Sequence, residues 1–165
     1  MTLYKRPEIK EELFKANPLV DSSFRIVVNK ITDTKTFQND DGILIHKEFE
    51  MEKENVTKVY TKPEYRQLIS QLSPKAKSLF LWLIYEADSG KDYIWVNKQR
   101  YMKENDITSI NTYKTAIEEL VTSLILATSL VKDVYWLNPR LFFSGNRVNK
   151  YPNHVEVYKP KTNKI

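Results

Sequence analysis

The chain has no cysteine, which rules out disulfides and thiolate zinc sites. Histidine is nearly as scarce: His46 and His154 are too few for a histidine-rich metal site. Long apolar runs are missing as well. The longest, "LFLWLIY" from Leu79 to Tyr85, falls far short of the roughly 20 residues that cross a bilayer. The opening "MTLYKRPEIKEELFK" is too charged for a secretory signal. The expectation is a soluble cytoplasmic protein with no membrane partner. Glycine is rare too, with three copies. The stretch "SGKD", Ser89 to Asp92, lacks the first glycine and the strand–loop–helix context of a phosphate-binding loop.

Catalytic groups are equally hard to assemble. His154 has no nucleophile or orienting acid in view. Glu48, Glu50, Glu52 and Glu54 alternate along one stretch and so share a strand face, but no convergent ligands or aspartate-rich loop accompany them. A solvated face is the reading. No enzyme, catalytic residue, metal or cofactor is expected.

What is present is an ordinary globular composition. The 165 residues are 41% hydrophobic and 28% charged, enough for one domain with a fair core or a small domain plus an appendage. The net charge is +5. Acidic and basic residues balance through residue 72, so the excess sits in the second half and the tail. There Lys150, Lys159, Lys161 and Lys164 stand against Glu156 alone. A basic bias favours polyanionic partners, though solubility alone would also account for it.

Patterning divides the chain in three. Residues 1–55 read as a loosely held charged start followed by a β-hairpin arm. In that arm "SFRIVVNKI" alternates, "QNDDG" turns and "ILIHKEFEMEKE" returns, giving a long antiparallel hairpin from Phe24 to Met51. "VTKVY" adds a short strand. From Lys62 the period becomes helical. Pro63 opens one helix, and Ser73 with Pro74 opens a second. "DYIWVN" is a short strand, Asn97 caps a helix from Lys98 to Asp106, and "ITS" is a tight turn. Thr108 or Ser109 then caps "INTYKTAIEELVTSL", whose Ile110, Tyr113, Ala116, Ile117 and Leu120 form a buried stripe. Two strands, "ILATSL" and "VYWLN", follow around a turn at Val131, Lys132 and Asp133. In "YWLNPRLFFSGNR" Pro139 ends the last strand, Phe142 and Phe143 pack, and Gly145 permits a turn.

Helix, strand, helix, turn, helix, hairpin is the element order of a winged helix-turn-helix. The expected fold is α+β: a winged helix-turn-helix domain over residues 56–147, an N-terminal β-hairpin extension and a basic tail over 148–165. With the buried stripe assigned, Asn111, Thr112, Lys114 and Thr115 face out of the last helix, where small polar and basic groups reach base edges and phosphates. The candidate DNA contacts are these four with Lys98, Arg100, Ser109, Lys132, Arg140, Arg147 and Lys150. For the two later arginines the alternative is a packed wing closure.

Four stretches carry a family likeness: "KVYTKPEYRQLISQLSPKAKSLFLWLI", "YIWVNKQRY", "SINTYKTAIEELVTSLIL" and "YWLNPRLFFSGNR". Over Val56 to Arg147 the chain resembles the winged-helix domain of RepL-type plasmid replication initiators. More loosely, it resembles small winged-helix proteins of crAss-like gut phages, which share the closing motif. The resemblance implies a double-stranded DNA partner and a role in replication initiation or regulation, or in transcriptional control. A phage structural or interaction module with the same fold is the alternative. Glu118, one turn beyond the proposed reading residues, would repel phosphate. Affinity therefore calls for the tail or for self-association, and the hairpin edges offer a place to form a homo-oligomer.

Overall fold

The computed structural model describes residues 5–28, 35–38, 44–47 and 56–157, and the architecture is α+β. A 3-10 turn, Glu11–Phe14, precedes strand β1, Ile26–Val28, then β2, Lys35–Gln38, and β3, Leu44–Lys47. Strand β4, Thr57–Val59, leads into helix α1, Pro63–Gln71. Pro63 stands at a first helical position, where its missing N–H costs nothing. Helix α2, Pro74–Glu86, begins the same way, and the Ser73 hydroxyl accepts the Ala76 amide as its cap. Strand β5, Tyr93–Trp95, follows, and Asn97 caps helix α3, Lys98–Glu104, by accepting the Arg100 amide. A tight turn with Asp106 at φ 52° leads to helix α4, Ile110–Thr122. Strands β6, Leu126–Thr128, β7, Val134–Leu137, and β8, Phe142–Ser144, come next. Helix α5, Arg147–Lys150, and strand β9, Val155–Val157, complete the described chain.

Strands β5, β7 and β6 form an antiparallel sheet in that order. Successive side chains of a strand point to opposite faces, and both faces here are used. Ile94, Leu126 and Leu137 join the main core with Leu79, Leu83, Tyr101, Ala116 and Leu120 from the helices. Tyr93, Val134 and Trp136 face the other way and build a second cluster around Phe14. Strand β8 pairs antiparallel with β4 and seats Phe142 and Phe143 fully inside.

Several expectations give way here. The charged segment is not loosely held where it is described, from residue 5 on. Phe14 is buried, and the Asn17 side-chain amide donates to the Leu137 carbonyl at 2.8 Å. The hairpin is reassigned: β3 pairs antiparallel with β2, whereas β1 pairs in parallel with β9, Ile26 opposite Val155. Alternation marks a strand but not its partner, and the aromatic lid of Tyr151 and His154 over Phe24 selects the distant one. The segment read as a basic tail is tied into the fold through Val157. The carboxylate row at Glu48–Glu54, and Lys159, Lys161 and Lys164, lie outside the described residues. Phe142 and Phe143 are strand residues as well as packing residues. Ile110 leaves the expected buried stripe with 40% exposure, because it sits in the first turn of α4, beyond the reach of α2.

Candidate nucleic-acid interface

Helix α4 is held by its buried face and by one polar clamp. Tyr113, Ala116, Ile117 and Leu120 are buried. Glu119 reaches back to the start of α2, where it accepts the Ser73 hydroxyl and the Ser73 amide, both at 2.6 Å. These bonds hold the Glu119 carboxyl below its ordinary pKa. These contacts set which face of the helix is buried and which residues it turns outward. Asn111, Lys114 and Thr115 are exposed, Thr112 is half-buried, and Ser109 stands exposed at the N-cap without a side-chain cap bond.

Beside this face runs a groove of about 700 Å³ between α4 and the β6–β7 turn. Lys98 from the start of α3, Lys114 from α4 and Lys132 from the turn all line it. Asp133, at φ 60°, tightens that turn. Ile110 and Tyr135 contribute apolar and aromatic surface, while Glu118 and Asp133 add negative charge. Three elements far apart in sequence thus bring three lysines to one concavity.

No family model, curated protein or solved structure matches the chain. Lys98, Ser109, Asn111, Thr112, Lys114, Thr115 and Lys132 are all on α4 or elements beside it.

The other four are placed differently, and each for a physical reason. Arg100 is engaged by carboxylates: it makes a two-pronged contact to Glu86 at 2.8 and 2.9 Å and a third to Glu104 at 2.7 Å. Those acids raise its pKa and neutralise its charge toward a polyanion. Lys150 pairs with Asp92 at 3.5 Å. Arg140 bonds Asp21 and Ser23 at 2.8 and 3.0 Å. Arg147 is half-buried, donates to the Pro139 carbonyl at 2.7 Å and stacks 3.6 Å from the centre of the Tyr60 ring. Arg140 and Arg147 line a second concavity that shares no residue with the α4 groove.

Ile110 and Tyr135 in the groove were missed because both fit a reading as core. The proximity of Lys132 to Lys114 had no local signal, since it depends on how the β6–β7 turn folds back.

Proposed function

We propose that residues 56–147 form a winged helix-turn-helix, with α3 and α4 as the helix pair and β6–β7 as the wing. The protein then binds double-stranded DNA and acts in replication initiation or regulation, or in transcriptional control, of a plasmid or phage. The observation that carries this reading is the convergence of Lys98, Lys114 and Lys132 on one groove beside the exposed Asn111 and Thr115. Small polar groups at the start of a helix can read base edges, and flanking lysines from neighbouring elements suit phosphates on either side.

Fluorescence anisotropy on duplex DNA tests it. Affinity should fall steeply between about 50 and about 200 mM salt, as counterion release requires. Alanine at Asn111, Thr112 and Lys114 together should abolish it with the fold intact. Flat or absent binding at both salts would reject the reading. Self-association through the β2–β3 hairpin belongs to the same proposal and is read from the mass of the full chain by light scattering.

A second reading, a phage interaction module that binds protein, draws on Leu81 and Tyr85. They lie one turn apart on α2 with 54% and 80% exposure. Absence of DNA binding at every salt concentration would favour it.

A further inference from the structure

The concavity lined by Arg140 and Arg147 gathers positive charge. It measures about 440 Å³ and lies between the β4–α1 link, the segment around Phe24 and the loops on either side of β8. Its walls hold Lys62, Tyr60, Tyr65 and Phe24 as well as the two arginines. Arg25 also lines it, but its charge is answered by Glu156 at 2.6 Å, as Asp21 answers Arg140. Lys62 and Arg147 have no such answer: among the described residues neither forms an ion pair. Lys62 has only the Tyr65 ring, 5.9 Å from its ammonium.

Arg147 is the sharper case. Its guanidinium is held between the rings of Tyr60 and Phe24, with centroids at 3.6 and 5.7 Å. Its Nε is buried without a hydrogen-bond partner. Burial lowers its pKa, which means the site disfavours the bare cation. A partly desolvated cation with no carboxylate is costly unless something else compensates it. The ring contacts and the bond to the Pro139 carbonyl offset part of that cost, and together they fix the guanidinium plane.

We propose that this concavity binds a phosphate group, with Arg147 and Lys62 supplying the charge and Arg140 closing one side. Two unanswered positive charges match a phosphate dianion or two successive phosphodiesters, and an arginine fixed in orientation suits the paired oxygens of phosphate better than a single point charge. The phosphate comes from a free monoester, such as a 5′-mononucleotide, or from a nucleic-acid backbone. The volume leaves space for the sugar beside it. The proposal does not depend on the α4 groove, since inorganic phosphate and short phosphate esters do not require a duplex.

The full chain is titrated at constant ionic strength, with chloride replaced by inorganic phosphate, by thymidine 5′-monophosphate or by the trinucleotide TpTpT, which carries two successive phosphodiesters. Binding is followed by the thermal midpoint and by phosphorus NMR. Saturable binding of at least one probe is expected. Lys62→Gln and Arg147→Lys should each weaken it roughly tenfold or more, the scale of a lost charge-assisted hydrogen bond. Lys62 is exposed, so its variant keeps the fold even if the Arg147 variant does not. A preference for inorganic phosphate or the monoester assigns the site to free phosphates, and a preference for TpTpT assigns it to a nucleic-acid strand. No saturable effect with any probe, or equal affinity in the Lys62→Gln protein, would overturn the proposal and leave Arg147 as a packing residue.

Discussion

Asp92 shows how much one side chain can organise. Its carboxylate is almost wholly buried at the start of β5 and faces residues that arrive from the far end of the chain. The Tyr151 hydroxyl donates to it at 2.6 Å and the Lys150 ammonium stands 3.5 Å away. Burial, and the bond to a carboxylate that favours the protonated phenol, raise the Tyr151 pKa well above the ordinary phenol value. Tyr151→Phe would remove the donor and leave a buried carboxylate oxygen unpaired, so the protein should lose roughly 1–3 kcal/mol in urea unfolding. A loss below a few tenths would mean that Asp92 finds another donor. Gly145 is a second point of constraint. It holds φ at +87°, and an added Cβ would stand 2.7 Å from the Ser89 hydroxyl oxygen. Gly145→Ala should therefore destabilise by at least about 1 kcal/mol on the same measurement. The glycine's turn was legible from "FFSGNR". The Asp92–Tyr151 pair was not, because nothing local in "GKDYIW" says that a phenol 59 residues away completes it.

At the level of elements, helices α1 to α4 and the local β6–β7 hairpin were readable, and the distant strand partners were not. Proline at a first position, Ser73 and Asn97 as caps, and three-and-four apolar spacing are local signals, and all three act within one or two turns. The strands here are three or four residues long, so where no short turn joins two of them the partner is decided by packing at a distance. Strand β8 pairs with β4, and β1 with β9, across most of the chain. The α4 residues expected to face out were legible because they are what remains when the buried stripe is removed. The Ser73–Glu119 clamp that fixes this helix is the element most open to test. Glu119 has its carboxyl held below the ordinary 4.5, chiefly by the Ser73 hydroxyl and next by the Ser73 amide. A depressed carboxyl pKa adds stability above the unfolded-state value, and that stability is lost as pH falls through the folded-state value. Glu119→Gln should thus lower the thermal midpoint at neutral pH and reduce the loss on acidification below about pH 4.5. Glu104, held low by Trp82 and then by Arg100, keeps some acid sensitivity in the variant. An unchanged acid profile would show that the clamp is not an ionised one.

For the whole molecule, the division into arm, domain and tail does not follow the packing. The Phe14 ring lies 4.1 Å from Tyr93 and 5.0 Å from Trp136, so the outer face of the β5–β7–β6 sheet is covered by residues from the start of the chain. Phe24 is buried against Tyr151 and His154, and the His154 Nδ1–H donates to the Phe24 carbonyl at 2.9 Å. Removing residues 1–55 would uncover Tyr93, Val134 and Trp136 together, and Phe14→Ala alone should cost about 3–5 kcal/mol. Cutting after Arg147 would strip β9 from β1 and Tyr151 from Asp92, so the melting temperature should fall sharply. Cutting after Val157 keeps every contact described here and deletes Lys159, Lys161 and Lys164. If those lysines engage phosphate, that shorter cut should reduce the salt slope of DNA binding by roughly one unit for each lysine engaged, with any sequence preference retained. The two truncations therefore separate stability from charge. A salt slope that survives the cut after Val157 would place the electrostatic contacts before residue 158, with Lys98, Lys114 and Lys132 the first to be mutated.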